Sequence, residues 1–405
     1  MKSLSLYYAP ILLGFSCGCV MPLSSSTLNF WLAQNNISLA MLGAMSFATM
    51  PYAFSFLISP YIQPLKVPLL HSILGRDKSL VVLLQLIISI TIYQLSTHSP
   101  KTSLHWIFIL TATLACSGAI LEVVIGSIRA HILDDKLQQT MSGLHVTGYR
   151  LGMIVTGPCV AFLSNFYKWE RLFGILSIMT CIFSVISVHC ITIYKRNASH
   201  QDNTHTTKHN IKSLFSIILN TSPYVICFLV FYRMSNHMMV PMLNPFLLNK
   251  GFTSLEVATF GKMCGHVGSL LGSSIAAYLL GKIKLIRGLF WCGMINAIAH
   301  LGFVFIAYMP HNSTKTLTIV SLAESITGGM ALAMFVATIT KMCRSTEKVK
   351  QYATYESILG LARTFLPCMS GLLVLMLNWG TFFILLTSIG IASLLTIHLA
   401  KKHLC

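Results

Sequence analysis

The sequence predicts an all-α polytopic membrane protein with twelve transmembrane helices in two pseudo-symmetric bundles of six. Three observations carry this prediction. Only 9% of the 405 residues are charged and 55% are hydrophobic, whereas a soluble globular chain carries about 25% charged residues. Residues 3–65 and 364–400 contain no Asp, Glu, Lys or Arg, and about 20 apolar residues suffice to cross a bilayer as a helix. The apolar sequence is broken at intervals by Asn, Pro, Gly and charge clusters, and once by a long polar segment.

Span 1, residues 6–31, follows MKSL and resembles a signal peptide at first sight. Its apolar character runs past any cleavage point and no small-x-small site interrupts it, so it reads as an uncleaved first helix. Spans 2 to 6 are expected at 39–62, 79–97, 104–129, 138–163 and 170–194. Spans 7 to 12 are expected at 222–249, 253–280, 286–309, 316–341, 352–377 and 379–400. Between the halves, KRNASHQDNTHTTKHNIKS at 195–213 is polar and His-rich and reads as a solvated linker. The chain therefore divides into an N-terminal bundle (1–194), a linker (195–213) and a C-terminal bundle (214–405).

Lys and Arg placement sets the orientation. With both termini in the cytoplasm, the inside loops hold 19 of the 28 basic residues and the outside loops five, Lys101, Lys168, Arg171, Lys250 and Lys315. This is the positive-inside bias of an inner-membrane protein. It also accounts for the net charge of +18. The charges sit in short loops on one face of a membrane, which argues against nucleic acid as a partner. The 12 cysteines are scattered, with no CxxC or Cys/His metal spacing. No metal, cofactor or nucleotide is expected: no GxxxxGK[ST] is present. Neither HExxH nor GxSxG occurs, so an intramembrane enzyme is not expected.

Away from the span ends and the loop charges, seven charged residues remain: Glu122, Arg150, Arg233, Lys262, Glu324, Glu356 and Arg363. They fall in spans 4, 5, 7, 8, 10 and 11, and none in spans 3, 6, 9 and 12. Arg233, Lys262, Glu324 and Arg363 each lie about ten residues into their span. At 1.5 Å per residue that is about 15 Å, half of the hydrocarbon thickness. A lone charge at that depth costs roughly 2.5–3.5 kcal/mol on insertion scales. Charges kept there face a wet cavity or a partner. Salt bridges that only tie helices together are the plainer alternative.

Six plus six helices about a polar linker is the arrangement of the major facilitator superfamily, whose halves are parallel repeats with the substrate site between them. Within it the chain resembles the AmpG-type muropeptide permeases. The resemblance rests on LLGFSCGCVMPLSSSTLNFWLAQNNISLAMLG (12–43), GRDKS (75–79), LEVVIGSIRAHIL (121–133) and GYRLGM (148–153). NPFLLNKGFTSLEVATFGK (244–262), AESITGGMALAMFVA (323–337) and QYATYESILGLARTF (351–365) continue it in order over nearly the whole chain.

The resemblance implies a proton-coupled importer of 1,6-anhydromuropeptides, cell-wall turnover products, working as a monomer. A muropeptide carries several carboxylates, and an anion crossing a low-dielectric region needs buried cations. Arg233, Lys262 and Arg363, with Arg150, are the substrate-binding candidates. Glu324 and Glu122 are the proton-coupling candidates, with Glu356 as a third or as a gate near the cytoplasmic end. Glu122 serves either as a proton site or as a counter-charge to Arg150. The chain departs from the family at Leu121, Gly126, Asn236, Gln63 and Pro64, where the family has Gln, two acids and an Asp-Arg pair. Three rival readings follow: a carrier of another anionic solute, an exporter of apolar cations hinted at by GMIVTGP (152–158), and a non-transporting receptor.

Overall fold

The computed structural model describes residues 4–54, 72, 74–132, 135–197, 221–280, 282–310, 313–342 and 348–404. All the regular elements among them are helices. Ten helical stretches are long and apolar enough to cross a membrane, and Leu39–Ala53 is a shorter apolar one. The last stretch, Ile358–Lys401, holds two spans. Its helix turns at Asn378 (φ 60°, ψ 171°), between the expected spans 11 and 12. The protein is thus a multi-pass, all-helical membrane protein of the six-plus-six type. Most of the linker, residues 198–213, lies outside the described residues.

By internal contacts the chain forms two units, Met1–Trp31 with Ala48–His209, and Leu32–Phe47 with Asn210–Cys405. The N-terminal part of span 2 therefore belongs to the second unit. Its helix tightens to a 3-10 turn at Met45–Thr49, at the border between the units.

The two halves repeat one another at their first hairpin. Span 1 ends with the Ile37 amide donating to the Leu32 carbonyl and the Asn36 amide to the Ala33 carbonyl. Span 7 ends with Phe252 donating to Leu247 and Gly251 to Leu248. Both are Schellman closures, which need a left-handed residue after the helix. Asn36 (φ 61°) and Gly251 (φ 93°) provide it. The next helix then starts after an extended cap, Ser38 in one half and Thr253 in the other. Thr253 and Glu256 close a reciprocal capping box.

Both first spans are also interrupted, at different depths. Span 1 leaves helical dihedrals at Ser25 (φ −136°, ψ −93°), before Asn36, and span 7 at Arg233 (φ −107°, ψ 7°), before Gly251. Spans 5 and 8 each contain a π-helical segment, Val155–Cys159 and Val257–Met263. Discontinuous spans and π-segments favour functional sites in membrane carriers.

Glycines bring selected helices into backbone contact. In span 5, GYRLGM sets Gly148 and Gly152 against span 1: a Cβ at Gly152 would lie 2.9 Å from the Cys19 amide nitrogen. In span 8, Gly268 and Gly272 face span 10: a Cβ at Gly268 would lie 3.2 Å from the Leu322 carbonyl oxygen. Small residues without a Cβ obstacle let membrane helices approach this closely.

Candidate functional site

In the second unit the polar side chains gather where span 7 is broken. Arg233, at the break (φ −107°, ψ 7°), begins the helix Met234–Asn249. Its Nη1 donates to the Gly328 carbonyl at 3.3 Å. One turn on, Asn236 Nδ2 donates to Glu324 Oε1 at 3.4 Å, and Ser325 Oγ donates to Glu324 Oε2 at 3.3 Å. Glu324 is 9% exposed and Arg233 is its nearby counter-charge. Two charges at this depth stay ionised most readily as partners.

AESITGGM is explained by this arrangement. Glu324 supplies the charge. Gly328 borders the layer: a Cβ there would be in ordinary contact with it, 3.4 Å from Glu324 Oε1, 3.5 Å from Asn296 Nδ2 and 3.8 Å from Asn236 Nδ2. Gly329 is the contact with span 8, since a Cβ there would lie 3.0 Å from the Ser269 Cα.

Span 9 joins the layer although it carries no charge at this depth. Asn296 Nδ2 donates to Thr327 Oγ1 at 3.3 Å. Behind Arg233 lies a cavity of about 10 Å³, lined by Tyr232, Ser235, Asn296 and Ser393 among others. That is room for the centre of one water molecule among polar groups.

The remaining candidates surround this layer to different degrees. His237 on span 7 lies within electrostatic reach of both Arg233 and Arg363. Arg363 is exposed, halfway along the helix before the Asn378 turn. Lys262 is half-buried in the π-helical part of span 8, with His266 Nδ1 2.9 Å from its carbonyl. Glu356 lies on the same helix as Arg363, with its side chain outside the described residues.

In the first unit Glu122 has Tyr52 within electrostatic reach, and Tyr149 is near Tyr52 in turn. The Tyr149 hydroxyl donates to Met21 Sδ at 3.3 Å. Gly118, one turn before Glu122, faces Tyr52: a Cβ there would lie 3.2 Å from the ring carbon Cζ. Arg150 follows Tyr149 and is half-buried. Gly126, one turn after Glu122, has nothing within 4 Å of the place a Cβ would occupy.

Glu122 and Glu324 differ in depth. Glu324 lies ten residues into Thr314–Met342, while Glu122 lies 18 residues into Leu104–Ile132. At 1.5 Å per residue these are about 15 Å and about 27 Å from the N-terminal helix ends. Glu324 is the mid-depth acid.

Sequence reasoning passed over Asn296, Ser325, Thr327, Tyr52 and Tyr149. Asn296 was the most legible of them, a lone amide in the apolar run LFWCGMINAIAHLGFVF. The others are common residue types whose place only the helix contacts reveal.

Broken first spans, glycine-tight helix pairs and a charged layer at mid-depth define a membrane transporter. The chain belongs to the Major Facilitator Superfamily, which matches residues 11–322. It is 28% identical over 413 residues to "Putative transporter AmpG 1" of Rickettsia bellii, covering 100% of this chain and 99% of the relative. It is 22% identical over 400 residues to the "Anhydromuropeptide permease" of Escherichia coli, covering 97% and 79%. Its fold is similar to the crystal structure of a D-xylose-proton symporter, with TM-score 0.68 and 11% identity over 97% of this chain and 96% of that one. A structure of the nucleoside transporter NupG (D323A mutant) gives TM-score 0.68 at 14% identity over 97% and 99%. The AmpG-type resemblance read from the motifs is thus shared by relatives along essentially the whole chain.

Proposed function

We propose that the protein is a proton-coupled importer of 1,6-anhydromuropeptides, or of closely related anionic sugar-peptides, across the bacterial inner membrane. The carrying observation is the Arg233–Glu324 layer, built from a broken span 7 and the glycine-faced span 10. Names of relatives, AmpG and anhydromuropeptide permease, support the substrate class. In this reading Arg233, with Arg363, Lys262 and Arg150, offers cations to the substrate carboxylates. Arg suits this because its planar fork pairs with a carboxylate through two hydrogen bonds. Glu324 carries the coupled proton: its protonation changes the charge of the layer by one unit as the anion arrives. Glu122 is the counter-charge of Arg150, and Glu356 acts near the cytoplasmic end. The working unit is one chain with both termini in the cytoplasm.

The deciding experiment is uptake of a labelled 1,6-anhydromuropeptide by cells that lack their own permease and express this protein. Uptake that collapses with the proton gradient is the expected result. Membrane-inserted, folded protein that takes up none overturns the substrate and favours another anionic solute. Asn236 and Gly126, which stand where the resembled family has acids, are the residues that favour this second reading.

A further inference from the structure

His300 is wholly buried, at 0% exposure, and among the described residues neither ring nitrogen has a hydrogen-bond partner. Burying a polar group without a partner is costly, and an unpartnered imidazole at membrane depth therefore calls for a role. The helix of span 9 tightens at this residue, whose amide donates to the Ala297 carbonyl three residues back at 3.3 Å while its dihedrals stay helical (φ −61°, ψ −25°).

Spans 9 and 10 run antiparallel, and two contacts fix their register. On one side Asn296 meets Thr327 at 3.3 Å. On the other, a Cβ at Gly302 would lie 2.7 Å from Val320 Cγ1. By this register His300, one turn from Asn296, falls between these contacts, opposite residues 322–323 and within one helical turn of Glu324 in sequence. Asn296 and Glu324 already approach each other, since both reach within 3.5 Å of the Cβ position of Gly328.

We propose that His300 is the alternative partner of Glu324 and shares its proton. Here Glu324 is held by Asn236 and Ser325, with Arg233 as counter-charge. When a substrate carboxylate draws Arg233 away, Glu324 takes up the transported proton, and its carboxyl then passes that proton to a ring nitrogen of His300. The O–H bond breaks, an N–H bond forms, and a carboxylate–imidazolium pair of unchanged total charge remains. The other titratable groups around His300 are Arg233, which acts on it electrostatically, and His237, both on span 7. Lys262 and His266 lie on span 8 across span 10, and span 12 contributes none at this depth. This assignment rests on the proton-coupled reading above and makes His300 the proton-sharing partner of Glu324.

Two measurements on the full-length protein test it. In detergent or nanodiscs, the ring-nitrogen signal of 15N-labelled histidine that His300→Asn removes is followed against pH. Its midpoint is expected to move by about one pH unit in Glu324→Gln, the effect of a charge within a few ångströms. An unmoved midpoint overturns the pairing. In proteoliposomes with a labelled 1,6-anhydromuropeptide, His300→Asn is expected to lower pH-driven accumulation about tenfold more than counterflow, and His300→Gln to recover part of the loss. Equal losses in accumulation and counterflow, or an unchanged pH profile, overturn the role in coupling. A wild type that carries no such substrate refutes the transport reading itself, and the titration then decides the His300–Glu324 pair alone.

Discussion

Gly272→Ala tests whether spans 8 and 10 are held at backbone contact around the Glu324 layer. A Cβ at Gly272 would lie 2.8 Å from the Ile326 carbonyl carbon, where ordinary contact is 3.4–4 Å. The obstacle is backbone within the span that carries Glu324 and Gly328, so no side chain can turn away to relieve it. The Ile326 carbonyl oxygen stands closer still, so the two helices must part by more than 1 Å, at the upper end of the overpacking cost of about 1–3 kcal/mol. For a chain of this size such a cost is a fall of roughly 1–4 °C in apparent Tm. Two further alanines calibrate the argument. At Gly265 the obstacle is only the Ser325 hydroxyl at 3.2 Å, and at Gly126 nothing lies within 4 Å. Gly265→Ala should therefore cost less than Gly272→Ala. Gly126→Ala, inside a helix, should be neutral or stabilising by up to about 1 kcal/mol. The assay is thermal unfolding of the purified proteins in one detergent, followed by tryptophan fluorescence. A Gly272→Ala protein as stable as the Gly126→Ala protein would refute the packing account.

Glu324→Gln should reduce uphill, pH-driven accumulation by an order of magnitude or more beyond its effect on exchange. Glu122→Gln should have the smaller effect. Proteoliposome uptake and counterflow measured side by side decide this, and normal accumulation by Glu324→Gln would move the proton site to Glu122 or Glu356. For topology, both termini and residues 195–213 should be cytoplasmic. Impermeant thiol labelling of a cysteine placed at Lys208 checks it, and labelling from outside intact cells contradicts the charge argument.

The class of the protein was legible because it depends on composition along the chain. A bilayer requires about 20 apolar residues per crossing whatever the partner helices, so the charge-free runs mark the spans. Asn378 was readable as a turn for the same reason: it separates two apolar runs each long enough to cross. The mid-depth position of Glu324 was readable because a helix converts residue count into distance. The motif GYRLGM, by contrast, looks like chemistry in one dimension and is packing in three, since Gly148 and Gly152 seat span 1.

What the sequence determined by itself is therefore the number of spans, their polarity pattern and the residue types kept at membrane depth. Which of those residues meet was decided only by tertiary structure. Asn296 and His300 sit in a span without charge, and Tyr52 lies far in sequence from Glu122. The physical reason is that hydropathy acts on each helix separately. Hydrogen bonds and ion pairs depend instead on how neighbouring helices are rotated and how closely they approach. In this protein that is fixed by particular glycines, Gly268, Gly272 and Gly329 on spans 8 and 10, and by the break in span 7 at Arg233.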